Sequence, residues 1–277
     1  MQTFRQRAAT LKSCLATTGC VAVVLFLLAV VFLPVIPWHD RYHSRQATCQ
    51  SNLKQIGIAF VQYVQDYDEQ FPLNGPHGTG WAGALYPYVK STGVFKCSND
   101  ENVATTTPQF ASYPLSYSMN SNFIHLKDKR EVSLNQGEIE PVATTVLAFE
   151  TSGTLVDMTK ADEGGAVSPT GFHSGVGNGL APAPGTGNLT ANGRPIRYAC
   201  GDFPGRSAGG VYGPTRHDPS SMFLSADGHV KLLQPEKVST GRTPAKSATQ
   251  TGNAVTGTAA SSDRLADGGF TLTFSTH

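Results

Sequence analysis

Four side chains near residue 220 could do chemistry together. His217 and Asp218 precede an apolar run and Asp227 and His229 follow it, within RHDPSSMFLSADGHVKLL. Imidazole and carboxylate groups are the common protein ligands of zinc, carboxylates also bind calcium, and both groups serve as general acids and bases. A metal site, as in a hydrolase that uses His217 and Asp227 as ligands, is therefore one interpretation of this segment.

The same segment also has a structural interpretation, which we favour. Asp227-Gly228 separates two short strand-like runs, and this dipeptide is preferred in type I′ hairpin turns because both residues tolerate a positive φ. The pattern predicts a β-hairpin over residues 217–233. In that hairpin His217 would hydrogen-bond to nearby backbone, and His229 would lie at a solvated end. We therefore predict no catalytic residue, no metal ligand and no cofactor, and expect a protein that is not an enzyme.

Composition narrows the functional classes. The chain has 277 residues, of which 39% are hydrophobic and 15% charged, and its formal net charge is +1. Such a charge gives no field to attract nucleic acid, so we expect no nucleic-acid partner. The 29 glycines and 17 prolines favour a loop-rich, sheet-containing domain.

An uncharged stretch near the N-terminus predicts one transmembrane helix over residues 15–38. It contains no Asp, Glu, Lys or Arg, and about 20 helical residues cross a hydrocarbon core of roughly 30 Å. Arg5, Arg7 and Lys12 precede it, which places residues 1–14 inside the cell. The remaining residues, 39–277, would then form an external domain.

The next stretch predicts an amphipathic helix over about residues 45–67. Apolar side chains recur there at intervals of three or four, and Phe71-Pro72 closes the pattern. The predicted apolar face consists of Leu53, Ile56, Phe60, Tyr63, Val64 and Tyr67. We expect this face to pack on a small antiparallel sheet, which gives an α+β fold.

The remaining elements are shorter. We predict a short helix near Trp81, a short strand over residues 94–97, a central strand over Val142–Phe149 and a last strand over Phe270–Phe274. Residues 164–213 are rich in Gly, Pro and Ala, so they form either a plain surface loop or a binding loop.

The chain resembles bacterial membrane-anchored, type IV pilin-like proteins of unknown function, related to the G-type pseudopilins of type II secretion. Their signature is a His, nine residues and Asp-Gly, found here as His217, Asp227 and Gly228. Further similar stretches are RQATCQSNLKQIGIAFVQYVQDYDEQFP, LYPYVKSTGVFKC, PLSYSMN and PVATTVLAFE. The resemblance covers most of the chain after residue 45.

The resemblance implies several properties. Cys49 and Cys97 match two cysteines that recur in these proteins, which implies a disulfide, and the fold would be pilin-like. A calcium ion is possible by analogy with the G-type pseudopilins, although no ligand series is assignable here. The implied localisation is the bacterial inner membrane, as a single-pass protein with its domain outside. The prepilin leader of the family, Gly before Phe-Thr-Leu-Ile-Glu, does not occur in this sequence, which favours an uncut N-terminal segment.

Two functions remain open. The first is a non-enzymatic, membrane-anchored, pseudopilin-like protein with a structural or interaction role in a secretion- or surface-related assembly, whose partners are the membrane and other pilin-like subunits. The second is a monomeric surface module that binds a glycan or a partner protein through the Gly-rich loop.

Overall fold

The structure is a computed structural model of the chain. It describes residues 19–30, 36–73, 80–101, 105–106, 111–127, 130–140, 142–161, 163, 176–177, 197–201, 203, 214–239 and 271–276. The chain divides into two compact units, Met1–Ala47 and Thr48–His277. Most of the Gly-rich range 164–213 therefore lies outside the described residues.

The N-terminal unit corrects one expectation. Residues 19–30 are helical, and a second helix, α1, begins at Ile36. In the described ranges no helix is long and apolar enough to cross a membrane. The predicted transmembrane helix over residues 15–38 and the inner-membrane localisation are therefore wrong; residues 15–18 and 31–35 of that range lie outside the description.

The described part of the larger unit contains residues of two helices, α1 and α2. Helix α1 spans Ile36–Asp66 and α2 spans Trp81–Val89. The predicted apolar positions Leu53, Ile56 and Phe60 of α1 are buried, whereas Tyr67, just beyond its end, is exposed and stacks on Tyr63 with ring centroids 4.1 Å apart. The buried apolar face of α1 therefore does not extend to Tyr67.

An antiparallel sheet packs against α1. Its main path runs in the order β1, β2, β5, β8, β9, while β6 pairs in parallel with β2, and β7 pairs with β5. These strands are β1 Thr105–Thr106, β2 Ala111–Asn120, β5 Val146–Val156, β6 Val176–Gly177, β7 Arg197–Tyr198, β8 Ser221–Ser225 and β9 Val230–Leu233. Two further pairs are β3 Ile124–Lys127 with β4 Arg130–Ser133, antiparallel, and β10 Val238–Ser239 with β11 Leu272–Thr273, parallel.

Three predicted strands differ from the observed ones. The central strand begins and ends later than predicted, as β5, and the last strand is only β11, two residues long. Residues 94–97 do not form a strand, because Thr92–Phe95 is a 3-10 turn. The predicted hairpin is present as β8 and β9, with Ser221 opposite Leu233 and Leu224 opposite Val230.

The sheet has two buried faces, since alternate side chains of a strand point in opposite directions. We call the side against α1 the helix face. It carries Leu115, Tyr117, Met119, Met222 and Leu224, in one cluster with the buried α1 residues. We call the other side the opposite face. It carries Val146, Phe149, Tyr198, Phe203, Phe223, Val238, Leu272 and Phe274.

Candidate functional site

The disulfide implied by the resemblance is confirmed. Cys49 lies in α1, Cys97 follows the 3-10 turn, and their sulfur atoms are bonded. The backbone N–H of Cys97 donates to Ser116 Oγ in β2 at 2.9 Å, and the Tyr117 hydroxyl donates to the carbonyl of Cys49 at 3.2 Å. The bridge therefore joins the helix to the sheet.

His217 of the signature lies directly beside this bridge. Its Nε2 is 3.1 Å from Glu150 Oε1 and 3.7 Å from Cys97 Sγ, and its Nδ1 is 3.2 Å from Asn99 Nδ2. Because a carboxylate only accepts hydrogen bonds, Nε2 donates to Glu150 and Nδ1 accepts from the Asn99 amide. His217 thus connects the sheet to the chain around Cys97.

Glu150 and Arg216 extend this contact into a network. Glu150 Oε2 accepts from the backbone N–H of Met222 at 3.0 Å, and Arg216 Nη1 is 3.8 Å from Glu150 Oε1. Arg216 Nη2 lies 3.2 Å from Asp100 Oδ2, and the side chains of these three residues and of His217 are at most 4% exposed. We call Asp100, Glu150, Arg216 and His217 the buried charge cluster.

The cluster holds its charges through hydrogen bonds within the chain. Arg216 also donates to the carbonyls of Ser116 at 2.8 Å and Thr151 at 2.6 Å, and the Ser116 hydroxyl donates to Asp100 at 2.7 Å. Buried ions are tolerated only when paired and hydrogen-bonded, so these contacts explain how charged residues fit beneath a helix. The arrangement fixes position and leaves no acid or base of the cluster facing solvent.

Two neighbouring groups are held in their protonated forms. Burial, and after it the negative charge of Glu150, raises the pKa of the Cys200 thiol well above its usual value. The same two causes raise the pKa of Tyr117. The Cys200 thiol donates to the carbonyl of Glu150 at 3.1 Å. Since the thiolate is the nucleophilic form, Cys200 is an inert thiol in this environment.

The other end of the signature is a hairpin turn. Asp227 Oδ1 accepts from the Ser225 hydroxyl and from the N–H of His229 at 3.1 Å, and Gly228 has a φ of +82°. Burial pushes the pKa of Asp227 upward, but the hydrogen bonds from Ser225 and His229 outweigh it, and the pKa is lowered. The carboxylate therefore has a structural role in the turn.

This turn also rests on α1. Lys54 Nζ donates to the carbonyl of Gly228 at 2.8 Å, and a Cβ added to Gly57 would lie 2.9 Å from a methyl carbon of Leu224. The turn therefore needs Gly57 for its close approach to the helix.

The signature residues do not form one site. His217 and Asp227 lie at opposite ends of β8, a strand of five residues and about 17 Å, and they share no partner in the contacts above. Asp218 and His229 are exposed. The two ends of the signature instead lie near α1 separately, His217 beside the disulfide of Cys49 and the carbonyl of Gly228 on Lys54.

Sequence reasoning missed Asp100, Glu150 and Arg216. Glu150 ends the apolar run VLAF inside a strand, and Arg216 directly precedes His217; a charged residue inside a strand pattern was the available signal.

Residues 205–209, Gly-Arg-Ser-Ala-Gly, have the spacing of a nucleophile elbow, a motif that requires a strand before it and a helix after it. They lie outside the described residues.

Comparison with known proteins gives one match. Residues 40–115 match the model of a family described as a protein of unknown function (DUF1559), a family associated with pilins and pseudopilins. The match covers most of α1, all of α2 and both bridged cysteines, whereas the signature residues 217–228 lie beyond it. No curated protein and no solved structure matches the chain.

Proposed function

We propose that the protein is a non-enzymatic, pilin-like subunit of a secretion- or surface-related assembly. In this proposal the apolar helical residues 19–30 pack against the same segment of other copies. The pilin-associated family match over residues 40–115 supports the proposal, and so does the packing of α1 on the sheet in the larger unit.

The observation that carries the proposal is the surface of residues 19–30. Eight large apolar side chains there are between 47% and 68% exposed: Val21, Val23, Val24, Leu25, Phe26, Leu27, Leu28 and Val30. Residues 23–28 are consecutive and therefore cover every side of the helix. A helix that is apolar all round is normally buried, and an apolar surface of this kind marks an interaction site.

The buried charge cluster supports the non-enzymatic part of the proposal. Its ionisable groups contact one another and the backbone beneath α1, and Cys200 beside it is held as a thiol. The side chains of the cluster are at most 4% exposed, so no acid or base of the cluster faces solvent.

A cysteine scan of the full chain tests the proposal. Cys20 is exposed, so it serves as the first position, and single cysteines at 21–28 follow in a background with Cys14→Ser and Cys20→Ser. After mild oxidation, helix packing predicts covalent dimers whose yield peaks every three or four positions. Equal yields at all positions, or an absence of dimers, would contradict the proposal.

A matched pair of substitutions gives a second test. Leu25→Lys places a charge on the proposed interface, while Leu232→Lys places one on an exposed apolar position of β9. Sedimentation of the two variants should show dissociation only for Leu25→Lys.

A further inference from the structure

We propose that Cys49 and Cys97, once reduced, form a zinc site with His217 and Glu150. The same two cysteines thus form the disulfide in the oxidised protein and bind the metal in the reduced protein. The ligand atoms of Cys49, Cys97 and His217 lie within 4.8 Å of one another, and all three residues are buried. Thiolate, imidazole and carboxylate are the ligands that zinc takes in proteins.

The distances around His217 already fit a tetrahedral ion. Zinc bonds of about 2.3 Å to sulfur and about 2.0 to 2.1 Å to nitrogen or oxygen place neighbouring ligands about 3.6 Å apart for sulfur and nitrogen and about 3.3 Å for nitrogen and oxygen. Nε2 of His217 is 3.7 Å from Cys97 Sγ and 3.1 Å from Glu150 Oε1. The Cys49 sulfur and the Glu150 carboxylate have to move, because the group of ligand atoms within 4.8 Å of one another consists of those of Cys49, Cys97 and His217. Breaking the bond between Cys49 and Cys97 frees the Cys49 sulfur.

The surrounding hydrogen bonds suit bound ligands. Ser98 donates its backbone N–H to Cys49 Sγ at 3.2 Å, a contact that stabilises a thiolate, and Met222 N–H holds the second oxygen of Glu150. Metal-bound Nε2 carries no proton, so Nδ1 would donate to the Asn99 amide oxygen after a flip of that amide. Ser98 is exposed, so solvent lies one residue from Cys97.

The exchange is balanced in electrons and charge. A dithiol reductant gives two electrons to the sulfur–sulfur bond, becomes a disulfide itself and releases two protons. The two thiolates left on Cys49 and Cys97 carry two negative charges, which Zn²⁺ neutralises. The proton of His217 moves from Nε2 to Nδ1. The net charge beneath α1 is therefore the same with the metal as with the disulfide, which avoids the cost of an uncompensated buried charge.

The test uses the full chain with Cys14→Ser and Cys20→Ser. The protein is reduced by a phosphine without oxygen, and zinc is titrated against a chromogenic chelator, with the oxidised protein in parallel. We expect one zinc ion per reduced chain, no zinc in the oxidised chain, and slower alkylation of Cys49 and Cys97 in the presence of zinc. Cobalt in place of zinc should give a thiolate-to-metal absorption band.

Two variants locate the ligands. His217→Asn should weaken zinc binding by more than about 100-fold, while His229→Asn, a change at an exposed histidine outside the site, should leave the affinity unchanged. If the reduced chain unfolds, recovery of near-ultraviolet circular dichroism on adding zinc supports the proposal. Failure of zinc to restore the fold, zinc binding that is equal in urea, or equal binding by His217→Asn would overturn it.

Discussion

Both faces of the sheet bury apolar side chains, and the helix face holds the buried charge cluster as well. On the helix face, β5 places Glu150 among Arg216, His217 and the disulfide. On the opposite face, the neighbouring residue Phe149 meets Tyr198 and Phe274, each with ring centroids 5.1 Å apart and nearly perpendicular planes. One strand therefore supplies a directional polar network to one side and an aromatic cluster to the other.

The difference shows what each face contributes. Aromatic burial stabilises a fold in proportion to the area removed from water and tolerates small changes of shape. A buried ion network gains little net stability, because desolvation offsets attraction, but losing one member leaves an unpaired charge. The helix face should therefore be the more sensitive to single substitutions that remove charge.

Removing the cation of the buried charge cluster should have the largest effect. Arg216→Met keeps much of the side-chain volume but leaves Asp100 and Glu150 without their guanidinium partner. We expect a loss of about 3 to 5 kcal/mol in the free energy of unfolding, measured by urea denaturation at neutral pH. A loss below about 1 kcal/mol would remove the distinction between the two faces.

Truncating the opposite face should cost somewhat less. Phe274→Ala removes a fully buried ring that contacts Phe149 and Phe203, with an expected loss of about 3 kcal/mol or more. Phe274→Leu is the matched control and should cost about 1 kcal/mol, because most of the apolar volume remains. Equal losses for both variants would argue against tight aromatic packing.

The contact between helix and hairpin gives an intermediate effect. Gly57→Ala would push a methyl group against the buried Leu224 of β8 but also removes a Gly from a helix interior, a gain of about 1 kcal/mol, so we expect a net loss of about 1 kcal/mol in urea denaturation. Gly93→Ala serves as the control, since an added Cβ there has its nearest neighbour at 3.6 Å. A neutral Gly57→Ala would show that the turn does not rest closely on α1.

The smallest effect belongs to the exposed turn. Because the folded-state pKa of Asp227 is lowered, its charged form adds stability above the unfolded pKa of about 3.9, and this contribution disappears as the pH falls through the folded value. Asp227→Asn should therefore cost less than about 1 kcal/mol at pH 7 and nothing at the lowest pH. Urea unfolding of the wild-type protein and of Asp227→Asn at several pH values shows whether the difference in their stability shrinks as the pH falls. A difference that stays constant with pH would contradict the prediction.

Local patterns in the sequence predicted part of this arrangement. The three- and four-residue spacing of Leu53, Ile56 and Phe60 identified the buried side of α1, and Asp227-Gly228 identified the hairpin turn. Both signals are local, because helical periodicity and turn preference act over a few residues. The disulfide followed from the resemblance, since no local pattern pairs Cys49 with Cys97.

The rest depends on contacts between distant residues. The predicted central strand ended at Phe149, before the charged Glu150, yet Arg216 and His217, more than 60 residues away, make a charged strand residue possible. The cover of the opposite face comes partly from β10 and β11, whose two residues each give little local signal. The prediction of a transmembrane helix from the apolar run near the N-terminus was wrong, since among the described residues no helix is long and apolar enough to cross a membrane.

A double-mutant cycle between His217 and Glu150 tests most directly whether the interaction of His217 with Glu150 stabilises the helix face of the sheet. His217→Ala, Glu150→Gln and the double variant are compared by urea unfolding at one pH, with the pair His217→Ala and Asp227→Asn as the control for distant sites. The account predicts a coupling above about 1 kcal/mol for the first pair and additivity within about 0.5 kcal/mol for the control. Additive effects of His217 and Glu150 would contradict it.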